Sequence, residues 1–220
     1  PSVMRCPRAE MFAGLTAGAL ASDPLVGVAF LSVDLDLTWA NGRWGELFFG
    51  RGGGFERSVP LRALFCPEAV EAFGTLFERV FETKSPLVSR CIRGGRRVQS
   101  TVHPLPVEIG EPQRVCMLST AGEATLLHGG AGLEIREFPV VDLGELDRLT
   151  RRELEILALI GCGLGRETIA KRLHRSPKTI DNHTAAIVAK LEARNRPDLI
   201  RIARRAALCV EHASMPRSCG

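Results

Sequence analysis

The feature that most constrains the fold is a pair of short helical segments separated by only a few residues. The first covers residues 166–173, the second covers residues 177–191, and LHRSP connects them. Ser176 and Pro177 predict a sharp start for the second helix, because a serine side chain caps free backbone N–H groups and proline fits the first helical turn. A connection this short keeps the two helices in direct contact.

The second helix has two different faces. One face is predicted to pack against a core and is formed by Ile180, Thr184, Ile187 and Leu191. The other face carries a cation, an anion, an amide and a methyl group, at Lys178, Asp181, Asn182 and Ala185. It is neither a salt-bridged solvent face nor an apolar partner face. It suits a DNA major groove, which admits one helix and presents base edges to short side chains near the N-terminal half of that helix.

Two further helical segments flank this pair, at residues 151–161 and 197–208. Thr150 and Glu153 form a T-x-x-E capping box before the first of them, which marks a helix start under any functional interpretation. The supporting helix of the pair is expected to be anchored by Ile169, Ala170 and Leu173.

The sequence before residue 122 alternates in the manner of a sheet. Two strand-like runs, VGVAFLSVD and LTWAN, precede helical sequence, and VSRCIRG, RRVQSTVHPL and RVCMLST follow it. Gly94-Gly95 predicts a hairpin turn between two of the later runs. In the intervening helix Pro67 fits the first turn. The buried stripe of that helix is predicted at Val70, Phe73, Phe77, Val80 and Phe81. We therefore expect a five-stranded antiparallel sheet with helices over one face.

This order of elements, with Trp39-Ala40-Asn41 leading directly into GRWGELFF, resembles the PAS domain, a sensor and interaction module. The resemblance implies that this region senses a signal or forms a dimer. A small-molecule ligand of the PAS-like domain is left open, and so is a domain that acts only as a dimerisation surface.

Positive charge is concentrated in the last third of the chain. Residues 1–142 contain 14 Lys and Arg against 16 Asp and Glu, whereas residues 143–212 contain 14 against 9. Such an excess favours a polyanionic partner, although arginine-rich helices are often simply solvated.

The segments LTRRELEIL, TIAKRL, SPKTIDNHTAAIVAKL and RPDLIRIA, in this order and spacing, resemble the DNA-binding domain of the LuxR family of bacterial transcription regulators. The resemblance runs from Leu149 to Leu208. It implies an all-α four-helix helix-turn-helix domain whose third helix enters the major groove and whose fourth helix commonly forms a dimer contact.

The family pattern also implies roles for individual side chains. Contacts to the phosphate backbone are implied at Lys178, Thr179 and Lys190. Contacts to base edges are implied at Asp181, Asn182 and Ala185. His183 supports the helix and approaches a phosphate, and Arg152 and Lys171 are further basic candidates. The family often has lysine where Asp181 stands and a longer polar side chain where Ala185 stands, so this reading face is less cationic. Gly165 replaces the usual Ser or Thr cap at a cost of a few tenths of a kcal/mol, roughly.

Together the two resemblances give an α+β chain. The expected boundaries are an N-terminal extension at 1–22, a PAS-like sensor or dimerisation domain at 23–121, a linker at 122–143, a LuxR-type helix-turn-helix domain at 144–211 and a tail at 212–220. The Gly-rich run GEATLLHGGAG marks the linker.

Several other classes of site lack their sequence signals. Seven cysteines are widely spread without a C-x-x-C pair, which argues against a disulfide framework and a zinc site. Cys66-Pro67 and Cys6-Pro7 could be haem-type pairs, but Pro67 is explained by its helix start, and the reactive-cysteine signature of flavin-linked sensors is absent. Neither paired carboxylates, a nucleophile with a base, nor a phosphate-binding glycine loop appears. We therefore predict no cofactor and no enzymatic activity.

The sequence as a whole predicts a cytoplasmic, sequence-specific DNA-binding transcription regulator. Neither a signal peptide nor a membrane span fits the early apolar segment. Double-stranded DNA is the expected partner, the chain is expected to be a homodimer, and RNA polymerase remains open as a partner. The alternative is a protein-interaction module whose C-terminal helices bind a protein. A helix of that kind should expose Leu, Met or aromatic anchors.

Overall fold

The computed structural model describes residues 23–106, 112–122 and 132–217. The predicted N-terminal extension at 1–22, with Cys6-Pro7, lies outside these residues, as do positions 123–131 of the predicted linker and 218–220 of the predicted tail. The chain divides into two units. The sheet unit comprises described residues within 1–89, 99–120 and 124–136, and the helical unit comprises those within 90–98, 121–123 and 137–220.

Among the described residues the sheet has seven strands, which corrects the prediction of five. The strands are β1 (Gly27–Ser32), β2 (Asp36–Ala40), β3 (Val59–Pro60), β4 (Leu87–Arg93), β5 (Arg96–Pro104), β6 (Arg114–Ala121) and β7 (Ile135–Glu137), in the order β3-β2-β1-β6-β5-β4-β7. β1 pairs antiparallel with β2 and with β6, and β2 pairs antiparallel with β3. The two additional strands, β3 and β7, are at the edges and have two and three residues. A strand of two or three residues is too short to show an alternation of apolar and polar residues, so the sequence did not indicate these two strands.

The WAN sequence has a clear structural role at the start of helix α1 (Gly42–Phe49). The buried side chain of Asn41 accepts hydrogen bonds from the backbone N–H groups of Val28 and Trp44, both at 3.0 Å. Its amide nitrogen donates to the carbonyl of Val26 at 2.9 Å. Asn41 therefore caps α1 and also attaches the helix to the first strand, which explains why a helix directly follows β2.

Helix α2 (Pro67–Thr83) supplies much of the apolar core of the sheet unit. Proline occupies its first turn as expected, and Phe73, Phe77 and Val80 are buried, while Val70 and Phe81 are half-buried. The phenyl rings of Phe73 and Phe77 have centroids 6.1 Å apart. The predicted stripe therefore faces the core.

Gly94 and Gly95 form the predicted hairpin turn between β4 and β5. Their φ angles are +53° and +67°, which is the pattern of a type I′ turn and is rarely adopted by residues with a Cβ atom. Within the helical unit, Asp142 holds this turn, because its carboxylate accepts from the N–H of Gly94 and from the N–H of Gly144, both at 3.0 Å.

The helical unit contains four helices at the predicted places. They are α3 (Arg151–Gly161), α4 (Arg166–Arg172), α5 (Pro177–Leu191) and α6 (Arg196–Arg205). Short 3-10 helices at Gly144–Arg148 and Val210–Ser214 precede and follow them. Their shared core includes Leu154, Leu157, Ile169, Ile187 and Leu199. In the parts of the chain that the structure describes, no helix is both long and apolar enough to cross a membrane.

Candidate nucleic-acid interface

Helix α3 begins with the predicted capping box. The hydroxyl of Thr150 accepts from the N–H of Glu153 at 3.3 Å, and the carboxylate of Glu153 accepts from the N–H of Thr150 at 2.7 Å. Arg152, in the same first turn, donates to Glu155 and to the carbonyl of Leu173, both at 2.7 Å. The structure therefore places Arg152 where it holds the end of the supporting helix.

The supporting helix α4 is anchored as its sequence predicts. Ile169 and Ala170 are buried, and Leu173 is half-buried. No side chain caps its start at Gly165, which is consistent with a glycine there. The helix ends in a Schellman motif. The N–H of His174 donates to the backbone carbonyl of Lys171 at 3.2 Å, and the N–H of Arg175 donates to the backbone carbonyl of Ala170 at 2.9 Å. His174 has a φ of +51°, so this turn reverses the chain without a glycine.

The start of α5 is fixed by the residues immediately before it. The hydroxyl of Ser176 accepts from the N–H of Thr179 at 3.1 Å, and the two hydroxyl oxygens are 2.9 Å apart. Pro177 occupies the first turn, and Ile180 and Ile187 are buried in the core. These contacts confirm the predicted cap and apolar face, and they determine which side chains of α5 face outward.

The varied face of α5 is open to solvent. Lys178, Asn182 and Ala185 are exposed, and Asp181 is half-buried. They are three or four residues apart, so they share one side of the helix. Two other residues with implied roles, Thr179 and His183, are half-buried beside this face.

Asp181 forms an ion pair with a residue of the supporting helix. The guanidinium Nη1 of Arg166 lies 3.2 Å from the Oδ2 of Asp181, and its Nε lies 2.8 Å from the Oε1 of Glu167. The hydrogen bond to Glu167, followed by the charges of Glu167 and Asp181, raises the pKa of Arg166 above its ordinary value. The hydrogen bond from Arg166 likewise lowers the pKa of Glu167. Both shifts favour the charged forms of Arg166 and Glu167.

Lys190 is placed differently from the other candidate lysines. Its ammonium donates to the buried carboxylate of Glu153 at 2.7 Å, which ties the last turn of α5 to the first turn of α3. This geometry gives Lys190 a structural role. Its implied contact with the phosphate backbone stays a prediction, and one that competes with this ion pair.

A cleft of about 810 Å³ lies at the turn between α4 and α5. It is lined by Glu167, Ala170, Lys171, His174, Arg175, Ser176, Pro177 and Thr179. Lys171 and Arg175 bring positive charge to it, and the first turn of α5 brings the positive end of a helix dipole. The cleft can therefore accept an anionic group such as a phosphate.

Sequence reasoning did not single out Arg166 or Arg175, and it named Glu153 for the capping box but not as the partner of Lys190. Arg175 directly precedes the helix cap, so its position beside the start of α5 could have been noticed. The pairs Arg166–Asp181 and Lys190–Glu153 join residues that are 15 and 37 positions apart. Such pairs carry no local sequence signal.

Comparisons with known proteins place this region in a family. Residues 147–203 match the family model described as "Bacterial regulatory proteins, luxR family". The "Oxygen regulatory protein NreC" of Staphylococcus haemolyticus and that of Staphylococcus carnosus are each 44% identical to this chain over 55 residues. Those residues are 25% of this chain and 25% of each relative, so the chain spans about a quarter of the length of the curated relatives it matches.

Two solved structures of low sequence identity can be aligned with most of the chain, at TM-scores below 0.5. The Vibrio cholera VqmA–ligand–DNA complex is 18% identical, with a TM-score of 0.47 over 94% of this chain and 96% of that chain. A phage VqmA–DPO complex is 18% identical, with a TM-score of 0.40 over 84% and 85%. Scores below 0.5 do not establish a common fold, whereas the family model covers the whole α3-to-α5 region described above. The segment at residues 147–203 is therefore a helix-turn-helix domain of the luxR family.

Proposed function

We propose that this chain is a sequence-specific DNA-binding transcription regulator. The observation that carries the proposal is the exposed face of α5, in which Lys178, Asn182 and Ala185 project from a helix whose other side is fixed in a core. The family of the helix-turn-helix segment, bacterial regulatory proteins, supports regulation as the role of that binding.

Phosphate binding is assigned to the cleft and to the first turn of α5. Lys171 and Arg175 line the cleft, Lys178 is exposed next to it, and Thr179 supplies a hydroxyl. The free N–H groups and the positive dipole end of α5 favour an anion at the same place. The DNA backbone presents regularly spaced anions, so several such contacts together would orient the domain without reading sequence.

Sequence reading is assigned to the neighbouring side chains of the varied face. The amide of Asn182 can pair with the N6 and N7 positions of adenine, and the methyl group of Ala185 can contact that of thymine. Asp181 adds a hydrogen-bond acceptor on the same side. His183, which is half-buried, is assigned a supporting role beside this face.

The sheet unit is assigned the role of controlling dimerisation or DNA binding as a PAS-like domain. Support comes from its antiparallel strands, from the helix that directly follows β2, and from the capping of that helix by Asn41. In a homodimer two copies of α5 would enter successive major grooves about 34 Å apart, on inverted half-sites.

A protein partner for α5 is less well supported. Among the described residues, the exposed large apolar side chains are Leu25, Val33 and Ile135, and none of them is on α5. A helix that binds a protein groove needs such anchors at helical spacing.

The test is selection of bound duplexes from a random pool, followed by affinity measurements at several salt concentrations. Lys178→Ala should weaken binding to all duplexes and reduce the salt slope by about 1, whereas Asn182→Ala should relax the preference at one base position. Arg62→Ala, which removes an exposed positive charge from the sheet unit, is the matched control and should change neither. The proposal fails if the wild-type chain shows no salt-sensitive binding. The assigned roles fail if the two α5 variants lose affinity equally on every sequence.

A further inference from the structure

The ion pair between Arg166 and Asp181 joins the two helices of the helix-turn-helix at its outer surface. The Arg166 side chain is 55% exposed and the Asp181 side chain is 45% exposed. Exposed pairs of this kind contribute little to folding stability, because water solvates both partners in the unfolded chain. Any functional role of this pair therefore depends on the groups that it presents to solvent.

The pair fixes the plane of the arginine. A guanidinium has five N–H donors, and here the Nε donates to Glu167 while Nη1 donates to Asp181. Within the described residues, these two are the hydrogen bonds of the group, so Nη2 and one N–H of Nη1 have no protein partner there, on a side chain that is 55% exposed. Two carboxylates on different helices thus hold a flexible side chain in one orientation, which reduces the entropy lost when it binds a ligand.

The location of this fixed guanidinium is set by Asp181. Asp181 is the fifth residue of α5 and shares the varied face with Lys178 and Asn182. Because only 3.2 Å separates Nη1 from the Asp181 carboxylate, the guanidinium lies beside the same face. That is the N-terminal half of the helix, where side chains meet base edges in a major groove.

The chemistry of the pair favours the arginine as the group that contacts DNA. A carboxylate that faces the groove alone is repelled by the phosphates, and here Asp181 already accepts from Arg166. A guanidinium presents two parallel donors that match the O6 and N7 acceptors of guanine.

We propose that Arg166 is a specificity-determining residue that recognises guanine, and that Asp181 is a positioning residue that orients it. This inference rests on the proposed function and makes the contribution of Asp181 to sequence reading indirect. It differs from a direct contact between Asp181 and the amino group of cytosine, because the preference for one G·C pair then depends on the arginine.

The experiment compares duplexes selected by the full chain and by its Arg166→Ala, Arg166→Lys and Asp181→Asn variants. Arg166→Ala should lower the preference for guanine at one position by about tenfold, since a bidentate contact discriminates by roughly 1–3 kcal/mol. Arg166→Lys should keep the overall affinity but not this preference, because an ammonium cannot form the bidentate contact. Asp181→Asn should reduce the same preference partially and leave the other positions unchanged. The control is Arg201→Ala, which breaks an exposed Arg–Asp pair of 3.3 Å on α6 and should alter no base preference.

Three results would overturn the inference. If Arg166→Ala keeps the guanine preference and Asp181→Asn loses it, Asp181 reads the base directly. If Arg166→Ala weakens binding equally on all sequences, Arg166 is a phosphate contact only. If Arg166→Ala changes nothing, the pair is a solvated surface feature. A wild-type chain that selects no sequence refutes the proposed function itself, whereas each of these three results leaves DNA binding intact.

Discussion

Replacement of Lys190 by methionine is predicted to destabilise the helical unit, although this lysine is near the surface. The Lys190 ammonium lies 2.7 Å from the Oε2 of Glu153, and the same oxygen accepts from the N–H of Thr150 at 2.7 Å. Glu153 is only 4% exposed. In Lys190→Met the Glu153 carboxylate would remain buried. It would keep the hydrogen bond of the capping box but lose the one from Lys190.

The magnitude follows from the burial of one partner and the exposure of the other. A hydrogen bond between charged groups contributes about 1.5–3 kcal/mol, and breaking a fully buried pair costs about 3–5 kcal/mol. The Lys190 side chain is 37% exposed, so water screens part of this interaction. We therefore expect Lys190→Met to lower the free energy of unfolding by about 1–2 kcal/mol at neutral pH.

The loss of stability in Lys190→Met should become smaller at acidic pH. Burial raises the pKa of Glu153, but the hydrogen bonds from Lys190 and Thr150 outweigh it and leave the pKa below the ordinary value of 4.5. A carboxyl whose pKa is lower in the folded state stabilises the fold above its unfolded pKa, and this contribution is lost as pH falls through the folded pKa. The difference between wild type and Lys190→Met should therefore shrink as the pH falls below 4.5 and through the lowered pKa of Glu153.

Urea unfolding followed by far-ultraviolet circular dichroism, at neutral and acidic pH, measures both effects. Lys171→Met is the matched control, because Lys171 is an exposed lysine of the same unit, and its change should stay within about 0.5 kcal/mol. If Lys190→Met unfolds at the same urea concentration as Lys171→Met, or if its deficit does not change with pH, the ion pair does not stabilise the fold.

Two further predictions concern side chains that hold backbone groups in place. Asn41→Ala should destabilise the sheet unit by about 2–4 kcal/mol, because it removes the cap of α1 and leaves buried backbone groups without partners. Unfolding followed by the fluorescence of the two tryptophans, Trp39 and Trp44, checks this, and a loss below about 0.5 kcal/mol would contradict it. Gly95→Ala should cost about 2–4 kcal/mol, since a Cβ would lie 2.8 Å from the carbonyl oxygen of Leu143 at a φ of +67°. Gly94→Ala has the same backbone strain but open space, so thermal unfolding should show a loss of only about 1–2 kcal/mol, and equal losses would refute the steric argument.

The features that could be predicted from the sequence are those that depend on neighbouring residues. Thr150 with Glu153 and Ser176 with Thr179 are three positions apart, and both form the caps that their sequences predict. The positive φ angles of Gly94 and Gly95 follow from two adjacent glycines between strands. The helices of the C-terminal region could be predicted for the same reason, because the spacing of apolar residues within one segment indicates a helix.

The features that could not be predicted depend on the meeting of distant segments. β7 (Ile135–Glu137) has three residues and lies in the stretch expected to be a linker, so no alternation marked it. The pairing of Arg166 with Asp181 requires the angle between α4 and α5, which the sequence of neither helix specifies.

The two lysines of α5 show how this distinction bears on function. Lys190 lies in the last turn, where a cation is favoured by the negative end of the helix dipole, and it also meets the buried carboxylate of Glu153. Lys178 lies in the first turn, where the dipole disfavours a cation, and its side chain is exposed. The helix dipole therefore stabilises the charge of Lys190 and destabilises the charge of Lys178. An external anion would offset the loss at Lys178, so its unfavourable position within the helix is an argument for phosphate binding that does not depend on family resemblance.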